Sequence, residues 1–282
     1  MKERYRYYLD GVEFELAEDT KIDLLRNLGQ IISVFDQNDS GNISFVVRQS
    51  DELLFVKIAG YQTVNAKIDK EHAILNLKRA YGIYSEIVFD KLIAPIDFWE
   101  KEGHVGLVFP YVKGDCLLDH WNYDYYERNK LISPLNRFLG LSVEKKIKMV
   151  ESLFEFYDIV SRAGYVATDF YEGSVLYDFL NDDYYFCDID FFTPHNTRNE
   201  NGEQWGPSRF LAPEEISVNG LLYEVTDVYH LGKFIAKIMC DCSNTWQLSK
   251  LKYDVVEKAI QKRQSQRYQS IKEFYQKWKS VE

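Results

Sequence analysis

The chain has few cysteines, and they lack the spacing of a metal or disulfide site. Cys116, Cys187, Cys240 and Cys242 include no C-x-x-C pair. Secreted disulfide domains and structural zinc modules need paired cysteines at close spacing. The pattern therefore favours a reducing compartment.

Long apolar runs and basic charge are also missing. No run approaches the roughly 20 apolar residues that span a bilayer, and residues 1–5 lead into acidic sequence without the apolar core of a secretory signal. Lys and Arg number 34 against 44 Asp and Glu, for a net charge of −10. A protein that binds nucleic-acid phosphates needs the opposite balance. We therefore expect a soluble, cytoplasmic protein with no membrane span and no nucleic-acid partner.

The hydrophobic pattern predicts an α+β fold with two different halves. At 282 residues and 46% hydrophobic composition, the chain can bury a sizeable core. Runs rich in β-branched and apolar residues, separated by turn residues, indicate strands with one helix in the front part, and period-3.6 patterns indicate helices in the back part. The predicted strands are 31–35, 43–48, 53–59, 105–112, 175–177 and 184–187; the predicted helices are 70–84 and 143–162, with a polar stretch at 193–208 and helical sequence after it.

Three short segments contain residues suited to phosphate or metal chemistry. Lys57 ends the apolar run 54–57, where its ammonium can either bind phosphate or simply reach solvent. Asp169 lies in a loop, with Ser174 five positions later and a strand directly after it. Asp188 and Asp190 follow a buried strand, where carboxylates are costly unless they are paired or bind a metal. Each segment alone is a weak signal.

Further motifs in the second half give these segments a common interpretation. Residues 206–215 read Gly-Pro-Ser-Arg-Phe-Leu-Ala-Pro-Glu-Glu, and Asp227 and Arg267 follow later. With Lys57, Asp169 and Asp188 before them, these motifs resemble, in order, the eukaryotic-type (Ser/Thr-like) protein kinase family. The resemblance implies a two-lobed fold with a Mg-ATP cleft: residues 1–112 as a β-rich small lobe with an N-terminal extension of about 25 residues, and 113–282 as a helical large lobe of the same domain.

The resemblance also implies roles for the catalytic residues. Lys57 would hold the α- and β-phosphates of ATP and pair with Glu71, or alternatively Glu86, on the small-lobe helix. Asp169 would orient the substrate hydroxyl and accept its proton. The ligands of Mg²⁺ would be Asp188 and Ser174, with Asp190 as the alternative to Asp188 because Asp190-Phe191-Phe192 resembles a degenerate Asp-Phe-Gly.

Nucleotide recognition and the frame of the large lobe follow from the same resemblance. Glu214 would pair with Arg267, and Asp227 would cap the backbone of the catalytic loop. The residues implied for the nucleotide are Gly41 and Ile43 from the phosphate loop, Phe109 as gatekeeper, Pro110 and Val112 for adenine, and Asp115 for ribose.

Several residues depart from the family's pattern. The phosphate loop keeps one glycine and carries Asp36 and Asp39, whose charges would repel phosphate. Phe55 replaces a small alanine beneath adenine. The remaining replacements are Ser174 for an asparagine, Thr168 for an arginine and Tyr171 for a lysine. Because that lysine is common in Ser/Thr kinases, its replacement leaves open which hydroxyl, of Ser, Thr or Tyr, would accept the phosphate.

Three functions are compatible with these residues. The first is a divergent protein kinase that phosphorylates a protein hydroxyl. The second is a pseudokinase that binds a partner protein, and the third is a small-molecule phosphotransferase of the aminoglycoside or choline kinase type.

Other polar segments receive structural interpretations. His195 and His230 are interpreted as isolated and His104 as part of a turn, and none has metal-ligand spacing. Residues 122–129 form a polar, tyrosine-rich insertion that is interpreted as a solvated loop, with a partner site as the alternative. Residues 5–18 alternate like a strand that covers the small lobe.

Overall fold

The computed structural model describes residues 4–118, 123–202 and 204–282. The described chain is a mixed α+β protein with eight α-helices and several antiparallel sheets, which confirms the predicted fold class at that level. It divides into two compact units: residues 1–85 with 93–113, and residues 86–92 with 114–282. None of the helices in the described ranges is long and apolar enough to cross a membrane.

The first unit is built on a five-stranded antiparallel sheet with the strand order β3-β4-β5-β7-β6. Its elements are β1 (Tyr5–Leu9), β2 (Val12–Leu16), α1 (Asp23–Arg26), β3 (Gln30–Phe35), β4 (Ile43–Gln49), β5 (Glu52–Ala59), α2 (Lys70–Glu86), β6 (Asp97–Lys101) and β7 (His104–Pro110). The predicted strands and helix of this part are therefore present within about two residues, the usual uncertainty of element ends.

The N-terminal residues 5–18 form a hairpin rather than one strand. Asp10 and Gly11 both have positive φ, 51° and 84°, the conformation of a tight two-residue hairpin turn. The hairpin contributes Phe14 and Leu16 to the core of the first unit, where the Phe14 ring lies edge-on to Phe45. The predicted cover of the sheet is thus a β1–β2 hairpin.

The second unit contains the remaining elements, most of them helical. They are β8 (Asp115–Cys116), α3 (Tyr123–Arg128), α4 (Pro134–Leu139), α5 (Val143–Arg162), β9 (Tyr165–Val166), β10 (Val175–Asp178), β11 (Asp183–Phe186), β12 (Thr193–Pro194), β13 (Thr197–Asn199), β14 (Gly220–Leu222), α6 (Glu224–Ile238), α7 (Lys250–Ala259) and α8 (Ile271–Lys279). Helix α5 has the predicted bounds. It packs against α6 and α8, with Phe154 against the ring of Phe274.

Two polar regions are more ordered than their sequence indicated. Residues 123–128 are helical, so the prediction of a solvated loop at 122–129 is wrong there; residue 122 lies outside the described residues. The polar stretch 193–208 carries β12, which pairs with β9, and β13, which pairs with β14. In these short pairings, backbone N–H and C=O groups bond to a neighbouring strand, whereas the polar composition alone indicated a loop whose backbone groups bond to water.

Candidate functional site

The loop that carries Asp169 is fixed by hydrogen bonds on both sides. It follows α5 and β9, and the Ala167 amide donates to Asp227 Oδ1 at 2.8 Å. The Thr168 hydroxyl contacts the Phe191 carbonyl and lies 2.9 Å from the Thr193 hydroxyl. Asp169 itself is half-buried with a φ of +63°, a left-handed conformation that aspartate tolerates better than most residues. The cap that the resemblance implied for Asp227 is therefore present.

Ser174 ends a short 3₁₀ turn, Glu172–Ser174, five residues after Asp169. Its side chain is 1% exposed, and its hydroxyl accepts a long 3.5 Å hydrogen bond from the Tyr171 amide. Its carbonyl accepts from the Cys187 amide at 2.9 Å. The turn thus fastens the Asp169 loop to the segment that leads into Asp188.

Asp188 and Asp190 follow strand β11 but differ in exposure. Asp188 is exposed and has a φ of +61°, whereas Asp190 is 3% exposed. The fully buried Ile189 between them fixes this alternation. A carboxylate that receives a hydrated Mg²⁺ must reach solvent, so the exposure favours Asp188 over Asp190 as the metal ligand.

The fit to Mg²⁺ rests on few protein ligands. Among the described residues, no group of three or more His, Cys, Asp or Glu side chains forms a metal-binding cluster. Mg²⁺ on a nucleotide usually takes one or two carboxylates, with phosphates and waters completing its shell. The exposed carboxylate of Asp188 matches that requirement.

In the first unit, the residues implied for adenine lie on paired strands. Phe55 on β5 and Phe109 on β7 are register partners, with ring centroids 6.3 Å apart. Phe109 is 5% exposed and also contacts the Tyr84 ring at 5.4 Å. Pro110 ends β7, and Val112 follows it, half-buried. The aromatic pair occupies the strand surface on which adenine was expected.

Lys57 and its two candidate partners are placed differently. Lys57 is half-buried in the middle of the sheet, with Ser44 and Leu107 as its register partners. Glu71 is exposed in the first turn of α2, where a carboxylate is favoured by the helix dipole. Glu86, at the other end of α2, accepts a 2.9 Å hydrogen bond from the Tyr165 hydroxyl. The assignment of the glutamate that pairs with Lys57 stays a prediction.

The loop between β3 and β4 is braced rather than open. Asp36 accepts the Glu15 amide at 2.8 Å, and Asp39 pairs with Lys67 at 2.9 Å. The two carboxylates expected to repel phosphate are thus engaged within the first unit.

Gly41 and Ile43 are both buried in the first unit. A side-chain carbon on Gly41 would lie 3.1 Å from Ala73 Cβ of α2, and the φ of Gly41 is +79°. The close approach to α2 and the positive φ both account for glycine at this position. Ile43 begins β4 and is fully buried.

Asp115, implied for ribose, is engaged in the second unit. Its carboxylate on β8 accepts a 3.0 Å hydrogen bond from Arg137 Nη1, and both side chains are about half exposed. An exposed pair of this kind contributes little stability and rearranges easily. It therefore leaves the proposed role open.

A small pocket adjoins Asp169 within the second unit. Its volume is about 10 Å³, room for roughly one water. Gly206 approaches so closely that a side-chain carbon there would lie 3.1 Å from Asp169 Oδ1. Trp205 stacks on Phe191 at 4.7 Å, which fixes the approach of this segment. The residues that line the pocket include Asp169, Tyr171, Trp205, Gly206, Pro207 and His230.

Two residues that are sequence neighbours of the pocket-lining Tyr171 and Phe210 form an ion pair that the sequence did not indicate. Glu172 is fully buried, and its Oε2 accepts from Arg209 Nη2 at 2.8 Å. The Arg209 guanidinium lies 5.9 Å from the Tyr171 ring and is about half exposed. Burial is the main cause that raises the pKa of Tyr171 well above its usual range, and the negative charges of Asp169 and Asp188 raise it further. The Tyr171 phenol is therefore neutral.

The frame below the site contains the pair that the resemblance implied. Arg267 binds Glu214 through two hydrogen bonds, of 2.6 and 2.9 Å. Burial raises the pKa of Glu214, but its hydrogen bonds and charge interaction with Arg267 outweigh that effect and lower it. The carboxylate is therefore ionised, and the two segments are joined by a buried salt bridge.

The interpretation of His230 as isolated is wrong. His230 is 3% exposed, its Nε2 lies 2.6 Å from Glu215 Oε2, and its Nδ1 lies 3.6 Å from Asp227 Oδ1. The i, i+3 spacing of Asp227 and His230 on a helix was the available signal. The contact with Glu215 depends on a fold that brings together residues 15 positions apart.

A scan of the chain against protein-family models gives no match, and a search of the curated proteins gives no significant relative. The functional assignment therefore depends on the contacts described above. They place a half-buried carboxylate, an exposed carboxylate and a neutral phenol in one region of the second unit, which suits proton acceptance and cation binding.

Proposed function

We propose that the chain is a divergent protein kinase with the two-lobed fold of that family, and that it transfers the γ-phosphate of ATP to a protein hydroxyl. The observation that carries the proposal is that two pairs of motif residues far apart in the sequence are in contact, in the pairings that the kinase pattern implies. Asp227 holds the Ala167 amide across 60 positions, and Arg267 holds Glu214 across 53. An acidic surface loop with no function would not need either contact.

Each residue has a physical role under this proposal. Asp169 would accept the proton of the substrate hydroxyl, for which a half-buried carboxylate is suited. Asp188 would hold Mg²⁺, and Lys57 would hold the α- and β-phosphates of the nucleotide. Bound Mg-ATP supplies the phosphoryl group and the divalent charge that neutralises it, so the protein contributes mainly position and electrostatics.

A second candidate is a pseudokinase that binds a partner protein. The Phe55–Phe109 pair on the adenine-facing strands favours it, as does the burial of the Ser174 hydroxyl that would replace a metal-binding amide. The third reading, a small-molecule phosphotransferase, gains no observation of its own, and the Glu214–Arg267 bridge belongs to the protein-kinase pattern.

Binding of Mg-ATP distinguishes the kinase from the scaffold. Ligand at about 100 times its dissociation constant adds roughly 2.7 kcal/mol to stability. For a chain of 282 residues, whose unfolding entropy is about 0.6 kcal/mol/K, we expect a melting temperature about 5 °C higher at that Mg-ATP concentration than in buffer. Asp188→Asn should abolish this rise, whereas Asp51→Asn, the same charge change at an exposed site of the first unit, should keep it.

Transfer of labelled phosphate then tests the base. With synthetic peptides that contain Ser, Thr or Tyr, Asp169→Asn should still bind Mg-ATP but lose about 10²-fold or more of the transfer rate. Full transfer by this variant would refute the role of Asp169. No melting shift of the wild type up to millimolar Mg-ATP would refute the kinase and leave the scaffold.

A further inference from the structure

Three charged side chains form a buried cluster behind the Asp169 loop. Glu215, Asp227 and His230 are 0%, 0% and 3% exposed. A buried charge is costly unless other charges or hydrogen bonds compensate it. Such a cluster therefore indicates a requirement beyond simple packing.

The imidazole is cationic between the two carboxylates. Burial lowers the pKa of His230, but the charge of Glu215 and the interactions with Asp227 outweigh burial and raise it to about 10. The 2.6 Å contact with Glu215 is a charge-assisted hydrogen bond. The 3.6 Å distance to Asp227 is too long for a hydrogen bond, so His230 acts on Asp227 mainly through its charge.

Each carboxylate of the cluster also accepts a hydrogen bond from a backbone amide, and the two amides belong to different segments of the chain. Glu215 Oε2 accepts from the Ala212 amide at 2.6 Å, and Asp227 Oδ1 accepts from the Ala167 amide at 2.8 Å. Burial raises the pKa of Asp227, which opposes its ionised form. The charge of His230 and the hydrogen bond from Ala167 both lower the pKa of Asp227 and offset part of this penalty. An ionised Asp227 is the stronger acceptor for Ala167.

We infer that His230 is a positioning residue: anchored by Glu215, its imidazolium keeps Asp227 ionised and directed at the Ala167 amide, and thereby fixes the loop that carries Asp169. The consequence for catalysis rests on the proposed kinase function. The fixation of the loop itself does not, because it is a property of the unliganded chain. His230 also lines the small pocket beside Asp169, so a disturbance at His230 reaches that loop directly.

Hydrogen exchange measured by mass spectrometry tests the inference on the full chain without nucleotide. An amide exchanges when its hydrogen bond opens, so Ala167 reports the Asp227 contact. In His230→Asn we expect peptides covering residues 165–170 to exchange about tenfold faster or more, with α8 unchanged. Glu215→Gln keeps the imidazole beside Asp227 but weakens its anchor and its charge, so it should speed exchange at residues 165–170 by less than His230→Asn does.

The double variant Glu215→Gln with His230→Asn keeps the inference testable if His230→Asn alone does not fold. It removes the buried carboxylate together with its cation, so it should be folded even if His230→Asn alone is not. It should still exchange faster at residues 165–170, because Asp227 has lost its cation. If either folded His230 variant exchanges at residues 165–170 as slowly as the wild type, the inference is overturned. It is also overturned if the exchange rate rises equally in all peptides, because that result indicates a merely structural role.

The outcome is separable from that of the proposed function. If Mg-ATP does not bind while the exchange result holds, His230 still positions the loop and only the kinase proposal fails. If transfer activity is present, His230→Asn should lower kcat about tenfold or more while the KM for ATP changes little. An unchanged kcat with faster exchange would overturn the catalytic consequence alone.

Discussion

Arg267 uses every donor of its guanidinium. Besides the two hydrogen bonds to Glu214, it donates to three backbone carbonyls at 2.7 to 3.1 Å. A guanidinium has five N–H donors in a fixed plane, and an ammonium has only three. The buried bridge therefore requires arginine rather than any cation. The three carbonyls belong to Val225, Gln261 and Lys262.

We expect Arg267→Lys to lower the free energy of unfolding by about 1–3 kcal/mol, because an ammonium keeps the charge but has too few donors and leaves buried acceptors unsatisfied. Urea denaturation at pH 7 measures the change. Arg263→Lys, an exposed residue four positions earlier, should change stability by less than about 0.5 kcal/mol. A loss below about 1 kcal/mol in Arg267→Lys would contradict the bidentate geometry.

Glu214 adds a pH dependence to this pair. Its pKa is lowered in the folded protein, so the ionised form stabilises the fold above the unfolded pKa of about 4.5, and this contribution is lost as pH falls through the lower folded value. We expect the stability difference between wild type and Glu214→Gln to shrink below pH 4.5 in urea denaturation. A difference that stays constant from pH 7 to pH 3 would argue against an ionised Glu214.

At the scale of elements, the β6–β7 pairing depends on one glycine. Gly106 on β7 faces Trp99 on β6, and a side-chain carbon at Gly106 would lie 2.1 Å from the indole. The indole thus fills the space that a side chain would occupy, which explains glycine in the interior of a strand. By contrast, Gly82 in α2 has no atom within 4 Å of such a carbon.

These two glycines provide a matched test. Gly106→Ala should destabilise the protein by about 1–3 kcal/mol through overpacking against Trp99. Gly82→Ala, the same change in a helix with open space, should stabilise it by about 0.5–1 kcal/mol. Chemical denaturation of both variants gives the comparison, and equal effects of the same sign would show that Trp99 does not constrain the pairing.

At the scale of the whole molecule, aromatic side chains make up much of the buried core. The chain has 21 tyrosines and 18 phenylalanines. Four buried phenylalanines pack their rings against one another. They lie on α5, the Asp169 loop, β11 and the segment after β11, and they are Phe156, Phe170, Phe186 and Phe192. These rings pack beneath the loop that carries Asp169 and so support the candidate site.

The buried tyrosines should resist ionisation in the folded protein. Burial raises the pKa of Tyr61 and of Tyr268 to about 12, and it raises that of Tyr157 well above its usual value. An exposed phenol titrates near pH 10. Because the raised pKa belongs to the folded state, the stability it contributes is complete below pH 10 and is lost as pH rises through about 12.

Absorbance at 295 nm during an alkaline titration should therefore rise in two steps. The first step, near pH 10, comes from exposed tyrosines, and the second coincides with loss of circular dichroism. In 8 M urea the same titration should show a single step. A single step near pH 10 for the native protein would mean that these tyrosines are accessible to solvent.

Local patterns in the sequence were sufficient for the regular elements. The runs of β-branched and apolar residues in β4 and β5 and the helical spacing in α5 predicted these elements to within about two residues, because each pattern belongs to residues that must be buried. An aspartate directly before a helical pattern is a typical cap, and Asp69 accepts the His72 amide at 2.8 Å. Helix α3 was missed, because its polar, tyrosine-rich sequence shows no apolar stripe.

The sequence by itself determined the fold class, the bounds of the main strands and helices, and the order of the motifs around Asp169 and Asp188. These follow from periodicity and residue type, which are local. Only the tertiary structure decided that Glu215 and Asp227 enclose His230, that Asp188 is exposed while Asp190 is buried, and that Gly206 lies against Asp169. The physical reason is that burial and charge pairing depend on which distant segments meet, and no spacing along the chain specifies that.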